Sequence, residues 1–202
     1  MRGFPRTTAI LCSALVASLT LSACVKFGSK PPAQFLVVSA KNPLPAGRAL
    51  FSNGLPVLSI LAPDVPRKLD NLRVAVQIDP TRVAYVQKAQ WAESPRQMFR
   101  RLLDDTIAAD GGIYVADAEQ SAVLSGRRLS GTLVDFGIDA ATREAVVTFD
   151  ATLTSATPGE AMRQRFTARV PVRKIEADRV AGPISEAANK VAADVAAWVK
   201  GG

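Results

Sequence analysis

Residues 145–153, Ala-Val-Val-Thr-Phe-Asp-Ala-Thr-Leu, decide the fold, because Ala145, Val147, Phe149, Ala151 and Leu153 fall on one side and Thr148, Asp150 and Thr152 on the other. That alternation is the pattern of a half-buried antiparallel strand. The segment 154–159 ends in Gly159 and reads as a turn. Beyond it Gln164, Phe166, Ala168 and Val170 alternate with Arg163, Arg165, Thr167 and Arg169. The returning strand therefore has an apolar face and a basic one, and the two strands form a hairpin.

Working upstream, residues 124–138 carry another alternating apolar run. It is interrupted at Gly126 and Gly131, where a bulge or a close backbone approach is expected. Before it, Ser94-Pro95 opens a helix, with Ser94 as cap, Pro95 at the first helical position and Gln97 completing a capping box. Met98, Phe99, Leu102, Leu103, Thr106 and Ile107 recur at three and four residue spacing, and Gly111-Gly112 stops the run. Ile113 to Val115 reads as a short strand. Earlier strands are expected at 34–39, at 57–61 and across Leu72, Val74, Val76 and Ile78, the last turning at Asp79-Pro80 into Val83, Tyr85 and Val86. Residues 41–54, with Pro43, Pro45, Gly47 and Gly54, read as a loop. Downstream, Ile184, Ala188, Val191, Val195 and Trp198 form one stripe of a helix over 183–200. The order predicts an α+β fold: a mixed, largely antiparallel sheet covered by two main helices, in a single domain.

The N-terminus is of a different kind. Arg2 and Arg6 precede an apolar run, Thr8 to Leu21, which is the layout of a secretory signal and is too short to span a bilayer. Leu21-Ser22-Ala23-Cys24 resembles the bacterial lipobox, which implies cleavage after Ala23 and acylation of Cys24. More than one acyl chain, at roughly 0.8 kcal/mol per buried methylene, gives lasting attachment. The expected organisation is a signal at 1–23, a lipidated cysteine and tether at 24–33, and a domain at 34–202. The tether, Val25 to Ala33, spans at most about 30 Å. With Cys12 removed and Cys24 capped, no disulfide is available.

Loss of Arg2 and Arg6 lowers the formal charge from +7 to +5, a modest excess, and no basic run is interleaved with aromatics, so nucleic acid is not an expected partner. The chain has no histidine, which excludes Ser-His-Asp and Cys-His catalysis and leaves no His/Cys metal set. Gly111-Gly112 follows a helix and lacks a P-loop lysine. Asp104 and Asp105 each lie four residues after an arginine, Arg100 and Arg101, and read as surface ion pairs. No catalytic residue, cofactor or metal is expected. The candidate partner contacts are Tyr85 and Trp91, for which core packing is the competing reading, and Arg165 and Arg169. These two arginines, with Arg163 and with Arg127, Arg128 and Arg173 beside them, form either a solvated face or a surface for anionic headgroups or an acidic partner. Trp198 reads as core.

Several stretches in order resemble the ABC-type transport auxiliary lipoproteins, the family that includes the paraquat-inducible auxiliary lipoprotein. They are Phe35-Leu36-Val37-Val38, Val65-Pro66-Arg67-Lys68-Leu69-Asp70, Tyr85 followed by Trp91-Ala92-Glu93-Ser94-Pro95, and Ala197-Trp198-Val199. Phe35 stands where the family usually has Tyr. The resemblance implies a non-catalytic lipoprotein on the periplasmic face of the outer membrane. It would work with an MCE-type periplasmic substrate-binding protein of an ABC transporter that moves lipid-like cargo. Val25 after the cysteine agrees with outer-membrane sorting, and self-assembly into a ring would suit the end of a conduit. Two other readings are a lipoprotein that carries lipid itself and an envelope-structural lipoprotein.

Overall fold

The computed structural model describes residues 35–117, 119–120, 124, 126–155 and 159–201, all within one compact unit, Pro32–Gly202. The expected signal, Cys24 and the tether lie outside the described residues. The elements run β1 (Val57–Ile60), β2 (Arg73–Asp79), β3 (Arg82–Gln90), α1 (Pro95–Asp110), β4 (Tyr114–Ala116), β5 (Arg127–Asp139), β6 (Glu144–Thr154), β7 (Ala161–Pro171) and α2 (Ala181–Gly201). The seven strands make one mixed sheet, and the α+β class read from the sequence is the one observed.

The long strand β5 organises that sheet. One of its edges is paired antiparallel with β6 along its whole length, from Arg128↔Thr154 to Asp139↔Glu144. The other edge is shared by two shorter parallel strands placed end to end. β1 pairs at the start (Leu58↔Arg127) and β2 at the finish (Ala75↔Gly137), with a single bridge, Asp64↔Thr132, between them. β4 extends the sheet beyond β1, β3 extends it beyond β2, and β7 lies outside β6. Two positions need glycine for this. At Gly131, with φ +155°, a Cβ would sit 2.1 Å from the Asp150 carbonyl oxygen; at Gly137 it would sit 2.3 Å from that of Ala75.

Both helices lie on one face. α1 turns Phe99, Leu102, Leu103 and Ile107 inward, and α2 turns Ile184, Ala188, Val191 and Val195 inward. Beneath them Trp91, Phe99, Phe136 and Phe149 form an aromatic chain, with ring centroids 5.5 Å apart for Trp91 and Phe136, 6.4 Å for Phe99 and Phe136, and 5.2 Å for Phe99 and Phe149. The tilted and edge-on ring arrangements are those favoured by the aromatic quadrupole.

Three local expectations are corrected and a fourth is met. Residues 35–39 form no strand: Leu36 makes one parallel bridge to Trp91, because only the end of β3 is available to pair with it. The close backbone approach that is one of the two readings of Gly126 and Gly131 is found at both, and the register shift of β5 falls between Leu133 and Asp135. Ser94 Oγ donates to Gln97 Oε1 at 2.8 Å, so the two side chains satisfy each other and the capping box is not closed onto the backbone. Arg101 takes Glu93 as its partner and not Asp105, since Glu93 precedes the helix on the same side.

Gly137→Ala is expected to cost about 1–3 kcal/mol, because the added methyl must push β2 away from β5. Urea unfolding checks this: a lowered midpoint is predicted, and an unchanged one contradicts the close approach.

Candidate interaction surfaces

The face of the sheet opposite the helices carries most of the predicted polar residues. In-register neighbours share a face, and Tyr85, Ala75, Gly137, Val146 and Arg169 form one row across β3, β2, β5, β6 and β7. Tyr85 and Arg169, singled out separately in the sequence, therefore stand at opposite ends of a single row. Its centre is made of small residues, leaving a depression of about 260 Å³ rimmed by Lys68, Gln77, Asp135, Asp139 and Arg169. Lys68 and Asp135 belong to this site and were missed as partners. The interior glycine of β5, Gly137, was the available signal, since such a glycine marks close approach of another chain segment.

Three basic residues of this face, Arg165, Arg169 and Lys68, are held by carboxylates. Arg165 makes a fork to Asp150, Nε to Oδ1 at 2.6 Å and Nη2 to Oδ2 at 2.7 Å. Arg169 Nη1 donates to Glu144 Oε2 at 2.9 Å and reaches Asp139 Oδ2 at 3.4 Å. Lys68 Nζ donates to Asp135 Oδ1 at 2.7 Å and Gln77 Oε1 at 3.2 Å. Arg165 lowers the pKa of Asp150, and Arg169 lowers that of Glu144. At Asp139 the upward push of burial is overcome by the amides of Thr142 and Ala141 and by Arg169. At Arg165, Arg169 and Lys68 the positive charge of this face is therefore matched by carboxylates. Tyr85 is half-buried, its ring covered by the Arg73 guanidinium 3.8 Å from the centroid.

Trp91 is a correction. It is fully buried against Phe136, with its backbone N–H donated to the Leu72 carbonyl, so it presents no surface for a partner. Closing the sheet at this corner needs a large apolar ring, and the aromatic of the Trp-Ala-Glu segment fills that space. Trp198 is half-buried and packs edge-on to Phe166 at 5.6 Å.

On α1, Arg96, Arg100 and Asp104 follow at four-residue steps. Arg100 Nε donates to the Ile60 carbonyl at 3.1 Å and its Nη2 meets Asp104 Oδ2 at 3.3 Å, while Asp104 Oδ1 is buried without a partner. Burial pushes the Asp104 carboxyl up to about 6, outweighing the opposite pull of Arg100. Among the described residues no three His, Cys, Asp or Glu side chains are grouped to hold a metal, and no helix is long and apolar enough to cross a membrane.

Comparison with known proteins now identifies the class. The model of the ABC-type transport auxiliary lipoprotein component family matches residues 40–196, and the chain belongs to that family. It is thus an auxiliary component of a transport system of the cell envelope. Protein XCC0632 from Xanthomonas campestris has a solved structure similar to this one, with 20% identity, TM-score 0.69, and coverage of 83% of this chain and 94% of that one. A second solved structure, of an uncharacterised protein, has 17% identity, TM-score 0.63, and coverage of 71% and 92% respectively. Both are similar in fold. No curated protein matches.

Asp104 gives a pH dependence of defined sign. The folded carboxyl keeps its proton where the unfolded one, with an ordinary pKa of 3.8, has lost it, so this group's contribution to stability falls as pH rises from about 4 to about 6. Asp104→Asn is expected to raise the urea midpoint near pH 7 and to leave it almost unchanged near pH 4. A lower midpoint at both values contradicts the assignment.

Proposed function

We propose that this chain is a non-catalytic outer-membrane lipoprotein, tethered through Cys24 on the periplasmic side. In this reading it docks an ABC-type transport system whose MCE-type substrate-binding protein passes lipid-like cargo between the membranes. The observation that carries the proposal is the family match over residues 40–196 behind Leu21-Ser22-Ala23-Cys24. Among the described residues neither α1 nor α2 covers the sheet face that carries Arg165 and Arg169, which supports a docking role. Tyr85, Arg165 and Arg169 are the contacts proposed on that face; Trp91 is withdrawn. Matched charges at such a face favour selection of a partner of complementary pattern over general attraction to anions. Several copies arranged around an axis would present the face repeatedly to a conduit end.

A carrier role has less support. The groove of about 980 Å³ between α1, α2 and the 39–42 segment is open and lined by a mixture of polar side chains, such as Lys41, Glu186 and Asn189, and alanines, such as Ala109, Ala193 and Ala196, and so offers an acyl chain no enclosed apolar cavity.

Metabolic labelling with a clickable palmitate analogue tests the anchor. The native chain is expected to be labelled and to fractionate with the outer membrane, and Cys24→Ser to be unlabelled. An unlabelled native chain contradicts the proposal.

A further inference from the structure

The first carboxylate in the sequence is Asp64; the forty residues from Cys24 to Pro63 carry Lys26, Lys30, Lys41 and Arg48 and no acidic group. Six of the nine exposed large apolar side chains among the described residues lie in the same stretch: Phe35, Val37, Leu50, Phe51, Leu55 and Leu61. Phe51 is the most exposed of all, at 65%. From Lys41 to Pro56 every residue except Leu44 and Ser52 is exposed, yet the segment is fixed at both ends. Lys41 donates its backbone N–H to Asn189 Oδ1 at 2.7 Å, and the Pro56 carbonyl accepts from Tyr114 N at 2.9 Å. Two turns, closed by Arg48 N to Pro45 O and by Leu55 N to Ser52 O, hold Leu50 and Phe51 between them.

An apolar tip on a strap that itself carries cations and no carboxylate is what an anionic bilayer surface takes up: the side chains enter the headgroup boundary while each lysine or arginine near the surface adds attraction of about 1 kcal/mol. The anchor alone leaves the orientation open. Eleven residue steps from Cys24 to Phe35 reach about 36–40 Å, and a domain of this size is about 40 Å across, so any side of the body could face the lipid. Surface chemistry must choose the side.

We propose that the 41–56 strap is a second membrane contact, seating Leu50, Phe51 and Leu55 in the anionic lipid surface and so orienting the body. The proposal rests on the Cys24 anchor. It directs the strap end of β5 toward the bilayer and the β2–β3 turn, at the other end of the sheet, away from it.

The test uses the full lipidated chain in vesicles, with phosphatidylglycerol or with phosphatidylcholine alone, carrying a cysteine-linked environment-sensitive dye at Phe51→Cys or at Val83→Cys. Val83 pairs with Gln77, which pairs with Asp139 at the far end of β5, about 40 Å along that strand from Arg127, the partner of Leu58 just after the strap, and it is itself 41% exposed. Spin-labelled lipid is expected to quench the dye at 51 severalfold more than at 83, and more in phosphatidylglycerol vesicles. Equal quenching at the two positions overturns the proposal. A dye at 51 that is blue-shifted in detergent and insensitive to spin-labelled lipid also overturns it, by showing protein over the strap. Floating vesicles that carry the chain with position 51 unquenched contradict the docking alone, whereas a chain that fails to float contradicts the anchor and the docking together.

Discussion

The pairing of β5 on both edges is the constraint on which the remaining structure depends. A thirteen-residue strand matched in full by β6 has one edge left, and two short strands, β1 and β2, divide it between them. That division fixes where the 61–72 connection runs and why Gly137, against Ala75 of β2, carries no side chain, while the β6 edge sets Gly131 against the Asp150 carbonyl. It also fixes the burial of Trp91, which packs on the inward-facing Phe136 of β5 and bonds to the residue before β2. Loss of register along β5 would shift each of these together, since a one-residue slip turns every side chain to the opposite face.

A sheet with both helices on one side has two chemically distinct faces. The covered face carries the aromatic chain and the aliphatic stripes of α1 and α2. The open face carries threonines and paired charges, which keep it soluble while leaving a shallow depression at its centre. Exposed ion pairs of this kind contribute little to stability, with a typical value of about 0–1 kcal/mol each. Their consequence is a patterned surface, in which Arg165 and Arg169 are held in place. Membership of the auxiliary lipoprotein family gives the chain its setting in a transport system.

Much of this was legible in the sequence. The Ser94-Pro95 helix start, the stripe ending at Trp198 and the β6–β7 hairpin each follow from spacing within one element, and each is observed. What spacing left open or missed has a different cause. Tyr85, open between contact and core in the sequence, looks toward the open face because β3 is irregular between its pairings at Gln90 and Tyr85, which resets the alternation, and periodicity cannot show such a shift. Arg169 finds Glu144 and Asp139, twenty-five and thirty residues away in the chain, only once the sheet is assembled. The burial of Asp104 depends on what packs over α1, and the spacing of Arg100 and Asp104 reports their pairing without reporting that cover. Cys24 is the reverse case: the sequence carries the whole argument, and the described residues begin beyond it.

The open sheet face as the docking surface is tested most directly by site-specific photo-crosslinking in intact cells. A photoreactive residue at Thr167, exposed on β7, is compared with one at Ala197, exposed on α2. Adducts to a transporter subunit from position 167 and none from 197 are predicted. Adducts from 197 alone would contradict the account.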